Sequence, residues 1–326
     1  MNRHLLTALA SLLTFSSICA QTSDYEAWRR GKEAEYAKWH KLRMETRGLP
    51  SSPERDAISR RIDEAFGQAP AASPLSYPAP ERQAISGMQT WVVIVGVADY
   101  ANISKLNYTD DDAYRMYAFY KSPEGGALPD SRIRLLIDED ATRAGIIRAM
   151  DEVYAKASQN DAIIFFFSGH GGRSAFITRE YDGRGDGNDG LLLHREIQDR
   201  FDRSPAKYKY VIADACHSGS LAASASAQPY YRAFDNVGGG FVLMLSSMGN
   251  EYSLEQSGIR QGIFSHFLIR GLNGEADANR DGIVSVVELF DFVKLNVVNR
   301  TNHRQTPVMS GNYQSNPPIS IVRINN

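Results

Sequence analysis

The sequence predicts an α/β fold: an open, mostly parallel sheet of about six strands with helices on both faces, preceded by a helical N-terminal segment. Three observations carry this prediction. Short, continuous apolar runs recur from Trp91 onward. Stretches with helical periodicity lie between them. Two of the runs lead directly into chemistry-bearing residues, and open α/β sheets collect functional groups just beyond the carboxyl ends of their strands.

The runs are Trp91–Val97, Arg132–Ile137, Ala162–Phe167, Tyr208–Ala213 and Phe241–Leu245. Continuous rather than alternating hydrophobicity fits strands covered on both faces. Between the first two, Thr109 is a good N-cap for a helix that turns Ala113, Met116, Tyr117 and Tyr120 to one side. Thr142 caps a second helix, with Ile146, Ile147, Met150, Val153 and Tyr154 inward. No internal repeat interrupts this alternation.

Composition sets the wider frame. The chain has 326 residues, 43% hydrophobic and 23% charged, with a formal net charge of -2. That suffices for one large domain plus an appendage, and the near-neutral balance gives no footing for nucleic acid. Residues 1–20 read as a signal peptide, with Arg3 and His4, an apolar stretch from Leu5 to Phe15, and Ala20 before the cut. Ile18 is bulkier than the usual small residue two places earlier; a short anchor or a buried helix is the alternative. The run is too short to make a stable membrane span, and export predicts a periplasmic or extracellular protein. Residues 21–88 read as a helical pro-segment, with Tyr25, Trp28, Tyr36, Trp39 and Leu42 on one face, followed by a Pro/Ala/Ser linker; a mobile spacer is the other reading. Residues 89–326 form the predicted domain. The chain has two cysteines, Cys19 and Cys216. Cleavage after Ala20 leaves Cys216 alone, either buried and inert or kept for its reactivity.

That cysteine sits at a strand end. Ala162–Phe167 leads into Ser168-Gly169-His170-Gly171-Gly172, and Tyr208–Ala213 leads into Asp214-Ala215-Cys216-His217-Ser218-Gly219. If the two strands are neighbours, His170 comes within reach of Cys216 as its base. A thiol of pKa about 8.5 needs such a neighbour to raise its thiolate fraction. The amides of Gly171 and Cys216 are the candidate oxyanion donors. His217 is a weaker competing base, because consecutive strand residues point apart. A zinc site of Cys216, His217 and His170 lacks the usual paired-ligand spacing.

Phe-Ser-Gly-His-Gly at 167–171 and Asp-Ala-Cys-His-Ser-Gly at 214–219 resemble the histidine and cysteine motifs of metacaspases and bacterial caspase-like peptidases. The resemblance covers residues 90–322, including Val95-Gly96-Val97, Leu106–Ala113, Phe241–Glu251 and Gln305-Thr306-Pro307. It implies a caspase-like fold and a cysteine endopeptidase acting on protein or peptide substrates with no cofactor for catalysis, a monomer being the favoured state. In metacaspases the substrate pocket is acidic, and its residues match Asp112, Ser168 and Asp214. Two carboxylates would pair with Arg or Lys and repel Asp, so cleavage after Arg or Lys is expected. Asp112 also reads as a capping-box residue of the Thr109 helix. The alternatives are a catalytically silent caspase-like scaffold and a calcium-binding interaction protein.

Asp277-Ala-Asn279-Arg-Asp281-Gly282, followed by Glu288, matches the calcium-loop template. Asp277, Asn279, Asp281, the Ile283 carbonyl and Glu288 would surround a structural calcium ion; a solvated turn is the alternative. The preceding helix is expected to end near Gly271 or Leu272, early for a regular EF-hand. A second acidic loop holds Asp182, Asp186 and Asp189 and reads as a surface loop. The metacaspase calcium site uses an aspartate just beyond the cysteine motif. Leu221–Gln228 contains no acid, so that site is not carried over. Arg232, in the Gly-rich stretch 222–240, is a candidate processing point.

Overall fold

The computed structural model describes residues 87–122, 125–172, 174–183, 190–217, 240–247, 255–256, 261–311 and 316–322. These fall in one unit, Leu75–Asn326. The expected signal peptide, almost all of segment 21–88, the acidic loop at 184–189 and the Arg232 stretch lie outside the described residues.

In chain order the elements are β1 (Thr90–Gly96), α1 (Thr109–Lys121), β2 (Ile133–Ile137), α2 (Arg143–Tyr154), β3 (Ala162–Gly172), β4 (Ala175–Ile177) and β5 (Leu191–Leu193). There follow α3 (His194–Arg203), β6 (Tyr208–His217), β7 (Gly240–Leu245), β8 (Glu255–Gln256), β9 (Gln261–Gly262) and α4 (Ile263–Arg270). The last are β10 (Ile283–Ser285), α5 (Val286–Arg300), β11 (Val308–Gly311) and β12 (Pro318–Ile321). The main sheet runs β11-β7-β6-β3-β1-β2, with β4 and β5 joined beyond the end of β3. From β7 to β2 all pairs are parallel; β11 is antiparallel at one edge. Because β1 lies between β2 and β3, the strand order reverses at β1, and the crevice for a ligand is expected beside its carboxyl end.

Alternation divides the sheet into two buried faces. Val93, Val95, Phe165, Phe167, Val211, Ala213, Phe241 and Leu243 join one core with Ile146, Met150, Val153 and Tyr154 of α2 and with Ile197 and Phe201 of α3. Val92, Ile94, Ile164, Phe166, Tyr210, Ile212, Val242 and Met244 fill the opposite face. α1 packs on β1 and β3 and also on α4, which packs on α5. Burying each of these phenylalanines contributes roughly 1.5–3 kcal/mol, which makes the central strands the rigid part of the frame.

Two local expectations change. Thr142 caps α2 as expected, accepting from the Gly145 amide at 3.1 Å. Thr109 does not cap α1: the N-cap position falls on Tyr108, which makes no side-chain cap bond. The Thr109 hydroxyl instead donates to the Val97 carbonyl at 2.6 Å, pinning the start of α1 to the end of β1. The histidine motif and residues 214–217 of the cysteine motif also lie inside strands rather than after them. β3 continues through Gly172 and β6 through His217, because the two pair in register as far as Gly171 and His217. Glycine usually weakens a strand interior, so the motif reads as a turn. At Gly169 the missing side chain is what the site uses: a Cβ there would lie 2.6 Å from the Tyr100 hydroxyl and 2.9 Å from the Phe167 ring.

Candidate active site

His170 is half-buried at the far end of β3 and is held from three sides. Its backbone N–H donates to the Tyr100 hydroxyl at 2.6 Å, and that hydroxyl donates onward to the Ile177 carbonyl at 3.2 Å. The Tyr100 ring lies against the imidazole, with centroids 4.7 Å apart. Nε2 faces the Ser104 carbonyl oxygen at 2.8 Å and its hydroxyl at 3.4 Å. A carbonyl only accepts, so this contact assigns the proton to Nε2 and the lone pair of the neutral ring to Nδ1.

Ser104 lies in the loop that leaves β1, and several bonds fix that loop. Asp138 Oδ1 accepts from the amides of Ala98 and Asp99, both at 2.8 Å. Ala101 N–H donates to Arg179 O at 3.2 Å, and the Asn102 side chain donates to Tyr181 O at 3.0 Å. Asp99 pairs with Lys105 and, at 3.5 Å, with Arg179. The hydrogen bond from Lys105, helped by the fields of Lys105 and Arg179 and opposed by burial, holds the Asp99 carboxyl below the usual range.

Register sets the position of the cysteine. Ser168 pairs with Asp214 and His170 with Cys216 across β3 and β6. Adjacent strands run about 4.8 Å apart and alternate faces every residue. Position 216 therefore shares a strand face with Asp214, as His170 does with Ser168, and 170 and 216 stand side by side. The side chains of Cys216 and His217 lie outside what the structure describes. Gly171 and Cys216, the expected oxyanion donors, are one register step apart on the two strands.

Two register steps below the 170–216 pair, Asp112, Ser168 and Asp214 come together. They are 1%, 0% and 4% exposed. The Ser168 hydroxyl donates to Asp112 Oδ2 at 3.0 Å. The Gly262 amide lies 3.0 and 3.3 Å from the two Asp112 oxygens. Asp214 Oδ2 accepts from the Ser265 amide at 3.1 Å and from its hydroxyl at 2.7 Å. The Asp112 carboxylate thus faces Ser168 of the sheet and the start of α4. What the arrangement offers chemically is two buried carboxyl groups two register steps from a histidine and a cysteine.

The calcium-type loop takes a partly different form. The helical turn continues past the expected stop, since a wider π-type turn spans Gly271–Glu275 after α4. Asp277 Oδ2 accepts from Gly282 N at 3.1 Å, Asn279 Oδ1 from Asp281 N at 2.9 Å, and Asp281 Oδ1 from Ile283 N at 2.8 Å. Glu288 turns back to the start of α5, where its Oε2 accepts from Ser285 N at 3.0 Å and the Ser285 hydroxyl at 2.6 Å. Burial raises the Asp277 and Glu288 carboxyls, with Asp281 adding repulsion. Asp277 Oδ1 is buried with no hydrogen-bond partner. Among the described residues no three His, Cys, Asp or Glu side chains gather as a metal site. Ile283 lies in β10, which pairs with β12.

Tyr100, Ser104, Gly262 and Ser265 were invisible as site residues in the sequence. Ser104 acts through its backbone, and Ser265 lies 51 positions from its carboxylate. The resemblance at 305–307 gave a weak signal for a further contact: the buried Gln305 side chain donates to Ser246 O at 3.0 Å, just after β7.

Comparison with known proteins agrees with this fold. A caspase-domain family model matches residues 89–316. The chain is 26% identical over 246 residues to a probable protease of a Desulfuromonadales bacterium, covering 65% of this chain and 30% of that protein. It is 29% identical over 150 residues to metacaspase-4 of Arabidopsis thaliana, covering 42% of this chain and 35% of the relative. The chain therefore spans about a third of the length of these relatives. Caspase-1 of Spodoptera frugiperda shares the fold, with a TM-score of 0.51 at 13% identity over 74% of this chain and 94% of that one. From residue 89 to residue 316, this chain belongs to the caspase-domain family of peptidases.

Proposed function

We propose that this chain is a cysteine endopeptidase that hydrolyses peptide bonds after Arg or Lys, with Cys216 as nucleophile and His170 as base. The observation that carries the proposal is the register of β3 and β6, which sets His170 beside Cys216 two steps beyond the Ser168–Asp214 pair. Ser104 holds the Nε2 proton, so Nδ1 receives the proton of the thiol. The sulfur then attacks the scissile carbonyl carbon, and the amides of Gly171 and Cys216 donate to the oxygen that becomes negative. Collapse expels the amine, which takes the proton from Nδ1, and leaves a thioester on Cys216. Water gives a proton to Nδ1 and attacks the thioester, releasing the acid and the thiol. The acidic hole receives the basic side chain on the amino side of the cleaved bond, where it offsets two buried carboxylates.

A panel of peptides with Arg, Lys, Asp or Ala at the cleavage position tests this, with Cys216→Ala as control. Turnover after Arg and Lys, abolished in the variant and by one equivalent of alkylating agent, is expected. Preference for Asp overturns the pocket argument. Absence of cleavage of every peptide favours the scaffold reading.

Calcium at 277–288 belongs to the same proposal as a structural ion. The buried, partnerless Asp277 Oδ1 supports it, while Glu288 would have to share its cap bonds to Ser285 with the ion. Export to the periplasm or beyond, with protein substrates there, remains part of the reading. Among the described residues no helix is long and apolar enough to cross a membrane.

A further inference from the structure

We infer that Gly262 and Ser265 form a specificity-determining clamp that holds Asp112 and Asp214 together as one receptor for a basic side chain. The inference rests on the basic-pocket reading above and assigns to it two residues outside the histidine and cysteine motifs. Two carboxylates buried side by side repel one another and are costly unless donors offset them. The donors described here come from Ser168 and from one short stretch of chain. Gly262 gives its amide to Asp112, and Ser265 gives both its amide and its hydroxyl to Asp214. Gly262 is the N-cap of α4 and Ser265 lies in its first turn. Amides at that end have no partner within the helix and carry its positive dipole end. The two aspartates therefore act as caps supplied from α1 and β6.

Space makes the arrangement exclusive. A Cβ on residue 262 would lie 2.4 Å from Asp214 Oδ2 and 2.9 Å from Asp112 Oδ2. Both carboxylates thus border one point, and only glycine leaves them there. Ser265 is 0% exposed, so no water replaces its hydroxyl if it is removed. Losing it leaves Asp214 Oδ2 with the Ser265 amide alone of that pair and loosens its seat beside Asp112. Rigid seating of both charges matters most for a planar guanidinium, which needs fixed acceptors for its fork of donors.

The test is a selectivity ratio, kcat/KM for an Arg peptide over kcat/KM for the matching Ala peptide. A merely structural role for Ser265 would lower both peptides together and leave the ratio unchanged. The clamp predicts that Ser265→Ala lowers the ratio by about tenfold to a hundredfold, the range for a lost bond to a charged group. Ser265→Thr, which keeps the hydroxyl, should retain the ratio, and the rate of Cys216 alkylation by iodoacetamide should not change in either variant. If the wild-type ratio is high and Ser265→Ala stays within twofold of it, the clamp is wrong and the pocket stands. If the wild-type ratio is near one, the pocket reading fails and the clamp with it. Should Ser265→Ala not fold, Gly262→Ala decides by the same ratio: a collapse supports the clamp, and retention overturns it.

Discussion

Replacing Tyr100 by phenylalanine removes one oxygen and keeps the ring that lies against His170. That oxygen accepts from the His170 amide at 2.6 Å and donates to the Ile177 carbonyl at 3.2 Å, and the side chain is 2% exposed. Each bond has a net value of about 0.5–1.5 kcal/mol, and a donor left buried without a partner costs about 1–3 kcal/mol. Tyr100→Phe should therefore destabilise the fold by about 2 kcal/mol. It also frees the backbone that aims the imidazole. If about 1.4 kcal/mol of that loss is felt in the transition state, kcat falls roughly tenfold. Urea unfolding measures the first quantity, and turnover of an Arg peptide the second. Gly169→Ala gives an internal check, because its added methyl would meet the Tyr100 hydroxyl at 2.6 Å. Part of its cost should vanish in the Tyr100→Phe background, where the oxygen is gone, although the Phe167 contact remains. Unchanged stability and kcat in Tyr100→Phe, or strict additivity of the two substitutions, would refute the idea that this hydroxyl seats the histidine.

Two further predictions concern stability and pH. Burial opposes ionisation of Asp161, but donation from Ser158, Trp91 and Gln89 outweighs it and leaves the carboxyl below its ordinary value. Its contribution is therefore present above the unfolded carboxyl range, near pH 4, and is lost as pH falls through the folded value. Asp161→Ala should cost about 3 kcal/mol at pH 7 by urea unfolding, with the gap to wild type narrowing in acid; a gap that does not change with pH would contradict this. Asp277 and Glu288 have raised carboxyls, so in chelator the loop should lose stability as pH rises from the ordinary carboxyl range through the raised values. Calcium should lift Tm at pH 7 in wild type and not in Asp277→Asn, and equal shifts in both proteins would remove the metal from the loop.

Why some of the site was legible and some was not follows from the kind of signal each part leaves. Continuous apolar runs announce buried strands, so β1, β2, β3, β6 and β7 were readable, as was the inward face of α2. His170 and Cys216 are rare side chains at the ends of two such runs, and a family motif marks both. The short strands β4, β5 and β8 to β12 have two to four residues each, too few for a period to show. The Thr109 cap failed because a threonine at a helix start offers its hydroxyl to any nearby acceptor, and here it donates to the Val97 carbonyl just after β1 at 2.6 Å. Asp112 shows the same ambiguity resolved by distance along the chain. Locally it is a helix-start carboxylate; its bond from Gly262, at the start of α4, spans 150 positions and leaves no local signal. Most of what seats the machinery consists of backbone carbonyls, amides and hydroxyls, and these carry no residue-type signature. Sequence thus exposes the groups proposed to react, whereas the groups around them become visible only once the sheet register and the packing of α4 are fixed. That division explains why specificity in this fold is expected to depend on residues such as Ser265, which no motif around the nucleophile contains.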